Sequence, residues 1–253
     1  LEFPGSIVIR GGILDGFKVE CSMNVEVYGV VGDATIIAGG DVICYGGISG
    51  KEACIINAKG TCSAKYVTNA NIESVGDILI TKDSTHSSLN TLGTVKSQTG
   101  SIVGGKVTAL RGVEAQVLGS LTGVKTYINV KMHYESEKYH LKLNTLLTEY
   151  YEYYLRYSAL IRSKDIPVKN FKEISKALEV LKSAVKKGRI IEEKIDSLVD
   201  KTNGIESAPV HVNNTLFADV IIQAPGCHKE ILETVKRKLT VLEDFQTGQM
   251  VLK

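Results

Sequence analysis

The stretch "GSIVGGKVT" (100–108) has the spacing of a phosphate-binding loop: Gly100, four residues, then Gly105 and Lys106. In such a loop backbone N–H groups cradle the phosphates, the lysine reaches the terminal ones, and a following Ser or Thr hydroxyl holds Mg²⁺. Val107 stands at the hydroxyl's place, and an aliphatic side chain cannot ligate a cation. The other residues able to do chemistry are scattered. His133 and His140 are seven apart, on one face of a helix, but a two-histidine metal site needs i, i+4 spacing or further ligands. Cys227-His228 beside Gly226 offers a thiol and a base with no third group to orient them, and reads as a surface turn. His86 is alone in the turn-like "STHSS". Asp15, Asp33, Asp41, Asp77 and Asp83 sit singly rather than in Ca²⁺-binding clusters, and read as solvated turns. The basic "KKGR" (186–189) suits the end of a helix, where cations complement the macrodipole. No catalytic, cofactor-binding or metal-binding residue is assigned, and the chain reads as a non-enzyme.

What holds these residues is a repeat. "NVEVYGVVGDATIIAGG" (24–40) aligns with "DVICYGGISGKEACIINAKG" (41–60), and the pattern occurs again at 6–22 and 77–93 and more loosely at 61–76, 94–112 and 113–130. Ile9, Val27, Cys44, Ala64, Ile80, Ser97 and Ala115 share one position; Val19, Ile36, Ile56, Ile72, Leu89 and Val107 share another. Small residues flank the second column. Alternation with period two means strands with one face inward, and a return every 16 to 20 residues stacks each turn on the last. That is a β-solenoid, in which inner side chains are buried only by neighbouring turns. Gly11, Gly29 and Gly46 then hold one corner position, and Gly39, Gly60, Gly76, Gly93 and Gly112 another. Val107 aligns with Ile36 and Ile56, so "KVTAL" is an inward-facing strand and the glycines before it are corners rather than a phosphate cradle.

Composition agrees. The chain of 253 residues has a formal net charge of +2, which excludes a strongly basic nucleic-acid surface. It has no apolar run of about 18 residues to span a membrane, and no signal peptide. Five cysteines, none in a C-x-x-C pair, read as free thiols, four of them on inward strand positions, in a reducing cytoplasm. From the start at Leu1-Glu2-Phe3 without Met, a piece of a longer protein with a further N-terminal domain is expected.

Near Met132 the period changes to 3.5. Tyr139, Leu143, Leu146, Tyr150, Tyr153, Tyr157 and Leu160 form a heptad seam. After a break at Pro167, Phe171, Ile174, Leu178, Leu181 and Val185 step along a second helix, with Gly188 as a kink or stop and Ile191, Ile195 and Leu198 continuing the spacing to about Thr202. The short connection predicts an antiparallel hairpin. Leu147, Tyr154 and Ile161 recur beside the seam, joined by Tyr151 and Leu155. The stripe is wider than two helices need, so Leu147, Tyr150, Tyr151, Tyr154, Leu155 and Ile161 are the candidate protein-interaction face, expected to make a homodimer. Seven of the eleven tyrosines lie between Tyr134 and Tyr157, and Tyr suits surfaces that are partly wet. After Asn203-Gly204 the β pattern returns. The expected organisation is a solenoid at 1–131, a helical hairpin insertion at 132–203, and a β segment at 204–253 that closes the solenoid and covers its edge.

The rungs "VEVYGVVGDATIIAGGDVICYGGISG" (25–50), "GSIVGGKVTAL" (100–110) and "VLGSLTGVKTYINV" (117–130), followed by helices and a β return, resemble the flagellar assembly protein A family along nearly the whole chain. Two departures are a short helical segment and Ala218-Asp219 where the family tends to have a Pro-Gly turn. The rungs also resemble the C-terminal β-helix of the septum-site protein MinC, which lacks such helices; that likeness implies a right-handed solenoid. The first resemblance implies a cytoplasmic bacterial scaffold or regulatory protein, linked to flagellar assembly or placement and acting through protein contacts. The alternatives are a MinC-like division regulator and a β-helix enzyme or binding protein for a polymeric glycan.

Overall fold

Alternating small and branched apolar residues make strands too short to be stable alone, so each is held by the strand one turn away. The computed structural model describes residues 1–162, 168–203, 205, 208–244 and 247–253 and, within the helices, all side chains except those of 137, 153, 156–162, 168–174 and 203. The chain divides into two compact units, Leu1–Tyr134 with Ile205–Lys253, and Glu135–Gly204.

The first unit is mainly β, a parallel β-solenoid of about seven turns before the helices. A typical turn pairs a short strand such as Ile78–Ile80 with a longer one such as Ser84–Thr91. Register is parallel throughout: Val19 lies against Ile36, Ile36 against Ile56, Ile56 against Ile72, Ile72 against Leu89, Leu89 against Val107 and Val107 against Ile128. Ile36, Ile56, Ile72 and Leu89 have no exposed surface. The second column runs Ile9, Val27, Cys44, Ala64, Ile80 and Ser97. The longer strands bend where Asn69, His86 and Gly104 stack with φ of 47°, 49° and 66°. Asn and His tolerate this left-handed region better than most residues and Gly has no Cβ to clash. His86 therefore turns a corner.

The glycine corners work by lack of space. Gly60 N donates to Gly40 O and Gly76 N to Gly60 O, both at 2.9 Å. A Cβ on Gly60 would collide with Asp41 Oδ1 and lie 2.9 Å from the Gly40 carbonyl carbon. The register corrects the expected column by one residue at each end. Gly40 rather than Gly39 stacks under Gly60, and Arg111 rather than Gly112 takes the place above Gly93, whose carbonyl accepts from Arg111 N at 3.0 Å.

The single aspartates are not merely solvated. Asp41 Oδ1 accepts from Thr61 N at 2.7 Å, Asp77 Oδ1 from Thr94 N at 2.7 Å, Asp15 Oδ1 from Asp33 N at 2.8 Å and Asp83 Oδ1 from Ser101 N at 2.8 Å. Asp33 Oδ1 accepts from Lys51 N. Each carboxylate thus satisfies a corner amide of the following turn, which strand pairing leaves free. Inside, hydroxyls do the same for carbonyls: Ser74 Oγ donates to Gly60 O and Ser97 Oγ to Lys82 O, both at 2.6 Å.

After the helices the chain rejoins the stack. Val210–Leu216 pairs in parallel with Gly112–Leu118, and Val220–Ala224 with Thr126–Val130. Four further strands are antiparallel: Cys227–Glu230 on Val220–Ala224, Val235–Lys236 and Leu239–Asp244 on Val210–Leu216, and Gln249–Leu252 on Leu239–Asp244. They cover this end of the sheet, whose edge would otherwise be free to pair with another chain. Asp219, at φ 63°, turns the chain into Val220–Ala224.

Cys21, Cys44, Cys54 and Cys62 are buried and free, and Cys227 is half-buried. Burial, with Cys54 nearby, pushes the Cys44 thiol up to about 12, and burial raises Cys62 as well. Thiolate is the reactive form. With a thiol reagent at pH 8, Cys227 reacts first and Cys44 and Cys62 react only as the chain unfolds; prompt labelling of Cys44 in the folded protein would contradict this core. The linkage has a definite sign. A folded-state thiol pKa above the unfolded value of 9.0 contributes stability that is present below pH 9 and is lost as pH rises towards 12.

The second unit is a pair of helices, α1 (Tyr134–Arg162, whose first residue falls in the first unit) and α2 (Val168–Asn203). Leu141 lines a groove with Ile190, Leu146 packs against Gly188, and Tyr150 lies beside Leu181 and Ala184. Rising numbers on α1 meet falling numbers on α2, so the pair is antiparallel. Pro167, the expected break, lies outside the described residues.

Candidate protein-interaction face

Tyr139, Leu143, Leu146 and Tyr150 are half-buried and make the α1 side of the seam; the side chains of Tyr153, Tyr157 and Leu160, and of Phe171 and Ile174 on α2, lie outside the described residues. The α2 side differs from expectation. Ala177, Leu181, Ala184, Gly188, Ile191, Ile195 and Leu198 are buried or half-buried, whereas Leu178 and Val185 are 45% and 61% exposed. Relative to that expectation the helix is rotated, so that the bulky α1 residues meet small α2 ones; a Cβ on Gly188 would lie in ordinary contact, 3.7 Å from Leu146 Cδ2. Gly188 is not a stop, since α2 runs on to Asn203. It follows that "KKGR" sits mid-helix, not at a helix end, with Lys186, Lys187 and Arg189 exposed.

The rotation leaves a second apolar surface. Residues at 100° steps place Leu147, Tyr151 and Tyr154 on one flank of the α1 seam. The same construction on an antiparallel partner places Leu178, Val185 and Val199 on that same flank of α2. Leu147 is 53% exposed, Tyr151 59%, Tyr154 42% and Leu155 53%. Leu147 and Val185 meet in a groove of about 430 Å³ floored by Leu143, Leu146 and Gly188. The opposite flank is mixed: Lys142, Glu149 and Lys187 lie there beside the exposed Leu141, Val180 and Ile190. Of the six residues proposed from sequence, Leu147, Tyr151, Tyr154 and Leu155 are exposed and Tyr150 lies half-buried in the seam; the side chain of Ile161 lies outside the described residues. Sequence reasoning missed the α2 half of the face because Leu178 and Val185 were assigned to the seam.

The residues considered for chemistry do not converge. Gly104 and Gly105 have φ of 66° and 75° within the strand Ser101–Ala109, and Val107 is buried in the inward ladder. No helix follows, so no dipole faces a phosphate. His133 precedes α1 rather than lying on it; it is buried, its ring stacked on Tyr134 with centroids 5.6 Å apart. His140 is exposed on α1. Cys227 and His228 start a strand after a turn with Gly226 at φ 86°, and burial with the nearby Glu243 raises the Cys227 thiol, the reverse of an activated nucleophile. Among the described residues no group of three or more His, Cys, Asp or Glu is placed to hold a metal ion. None of the described helices is long and apolar enough to cross a membrane.

No curated protein and no solved structure matches the chain. The family model of the Flagellar Assembly Protein A beta solenoid domain matches residues 1–247, which takes in the stacked turns, both helices and most of the antiparallel strands. The parallel ladders are the β-solenoid that this description names, and the chain belongs to the flagellar assembly protein A family.

Proposed function

We propose that the chain is a non-enzymatic scaffold or regulatory protein of the bacterial cytoplasm, linked to flagellar assembly or placement, that works through protein–protein contacts and as a homodimer. The observation that carries this reading is the exposed apolar flank of the helices, Leu147, Tyr151 and Tyr154 with Leu178 and Val185. Contiguous exposed apolar surface marks an interaction site, and tyrosine is enriched at interfaces. Support for a flagellar role comes from the family, and support for a reducing compartment from five free cysteines. The solenoid's part is to be rigid: its ladders hold the roots of the insertion on fixed strands.

The test is made in the host bacterium. Leu147→Glu combined with Tyr151→Glu alters exposed positions and leaves the solenoid core untouched. The expected result is fewer or misplaced flagella by electron microscopy, with the protein at its normal level by immunoblot. Normal flagellation at normal protein level would overturn the reading.

A further inference from the structure

The exposed flank of α2 is not uniformly apolar, and its charges have an order. Leu178, Lys182, Val185, Arg189, Glu192, Asp196 and Val199 follow one another at steps of four and three, a second heptad stripe beside the one that packs on α1. All seven are exposed. The basic residue Lys182 lies in the first half and the acidic Glu192 and Asp196 in the second, with Arg189 between.

We propose that a second copy of this chain occupies the face, docked about a two-fold axis near Arg189 so that the two α2 helices run antiparallel. The inference rests on the reading of this flank as an interaction surface and names its partner. In an antiparallel self-pairing centred on Arg189, Lys182 of each copy faces Asp196 of the other, because the two are equally far from the centre. Leu178 comes within one residue of level with Val199, and Val185 within one residue of level with the stem of Glu192. The Arg189 pair at the axis has a Glu192 from each copy beside it. Parallel pairing would set Lys182 on Lys182 and Asp196 on Asp196, and like charges across an interface suppress association. The charge order therefore selects an antiparallel pair. A two-fold axis makes the contact isologous, so one surface serves both copies and the assembly closes at two. Leu147, Tyr151 and Tyr154 of α1 flank this stripe and widen the contact to four helices.

The experiment is sedimentation equilibrium on the full chain at low and moderate salt, with far-UV circular dichroism to confirm that each variant is folded. The wild type is a dimer at micromolar concentration. Lys182→Asp alone and Asp196→Lys alone each weaken association by about tenfold or more, since each places like charges together twice per dimer. The chain carrying both substitutions regains an affinity within about threefold of the wild type, because the pairs are re-formed with signs exchanged. A wild type that stays monomeric at tenfold higher concentration overturns the proposal, as does a dimer indifferent to the single substitutions or one that the double substitution does not restore. These failures are separable from failure of the functional reading. A monomeric wild type whose Leu147→Glu, Tyr151→Glu variant still disturbs flagellation removes the dimer and leaves the interaction face in place.

Discussion

Ile56→Asp gives a chain that does not fold, and Ile56→Ala lowers the free energy of unfolding by about 2–5 kcal/mol. Ile56 has no exposed surface and sits mid-ladder, against Ile36 on one side and Ile72 on the other. Alanine leaves a gap that the neighbouring turns cannot close. Their spacing is fixed by backbone hydrogen bonds on every side of the solenoid, so the cost falls in the upper part of the range for a large-to-small change. Aspartate brings a charge with no partner, since the surrounding column is aliphatic and the nearest inner residues are Cys54 and Ala58 on the same strand. Burying an unpaired carboxylate costs more than a marginally stable domain has to spare. Urea denaturation measures the first variant, and the second is recovered insoluble or without a cooperative transition. A soluble Ile56→Asp protein that unfolds cooperatively would mean that this column faces solvent.

The same ladder shows why the solenoid was legible in the sequence. Alternation distinguishes the inward from the outward face without ambiguity, because a one-residue slip would turn every branched side chain out. Ile36, Ile56 and Ile72 were therefore placed in register by pattern alone. Corners carry no alternation, and there the reading slipped by one residue at Gly39 and at Gly112. The work of Asp41 and Asp77 was invisible for a different reason. The amide each accepts belongs to the next turn, and nothing local in "GGDV" or "VGDI" announces that partner.

In the helices, large apolar residues were easy to see and small ones were not. The seam on α1 was correctly read from Tyr139, Leu143, Leu146 and Tyr150. On α2 the seam sets Leu181, Ile191, Ile195 and Leu198, legible as apolar, among Ala177, Ala184 and Gly188, which score weakly as apolar. Choosing Leu178 and Val185 for the seam hid the α2 half of the exposed face. The heptad stripe with its ordered charges becomes visible only once the rotation of the helix is known.

Gly46→Ala is expected to destabilise the chain by about 3 kcal/mol or more, whereas Gly11→Ala stays within about 0.5 kcal/mol of the parent. In the sequence these glycines are equivalent: Gly11, Gly29 and Gly46 hold one position of successive repeats. Their surroundings differ. A methyl group on Gly46 would overlap the Gly29 carbonyl and lie 2.9 Å from Val30 N, while one on Gly11 would meet nothing within 4 Å. Neither glycine has a φ in the left-handed region, so the difference is one of space and not of backbone freedom. Backbone atoms held by strand pairing cannot swing aside as the tip of a side chain would. Relief at Gly46 would require the two turns to part, and that would stretch the neighbouring Val27–Tyr45 hydrogen bond, 2.9 Å long. Both variants are compared by urea denaturation on the same chain. Equal stability of the two would mean that these corners are not in close contact and that the turns are held by their side chains alone. A loss confined to Gly46→Ala shows that a repeat position acquires its cost from the turn stacked beneath it.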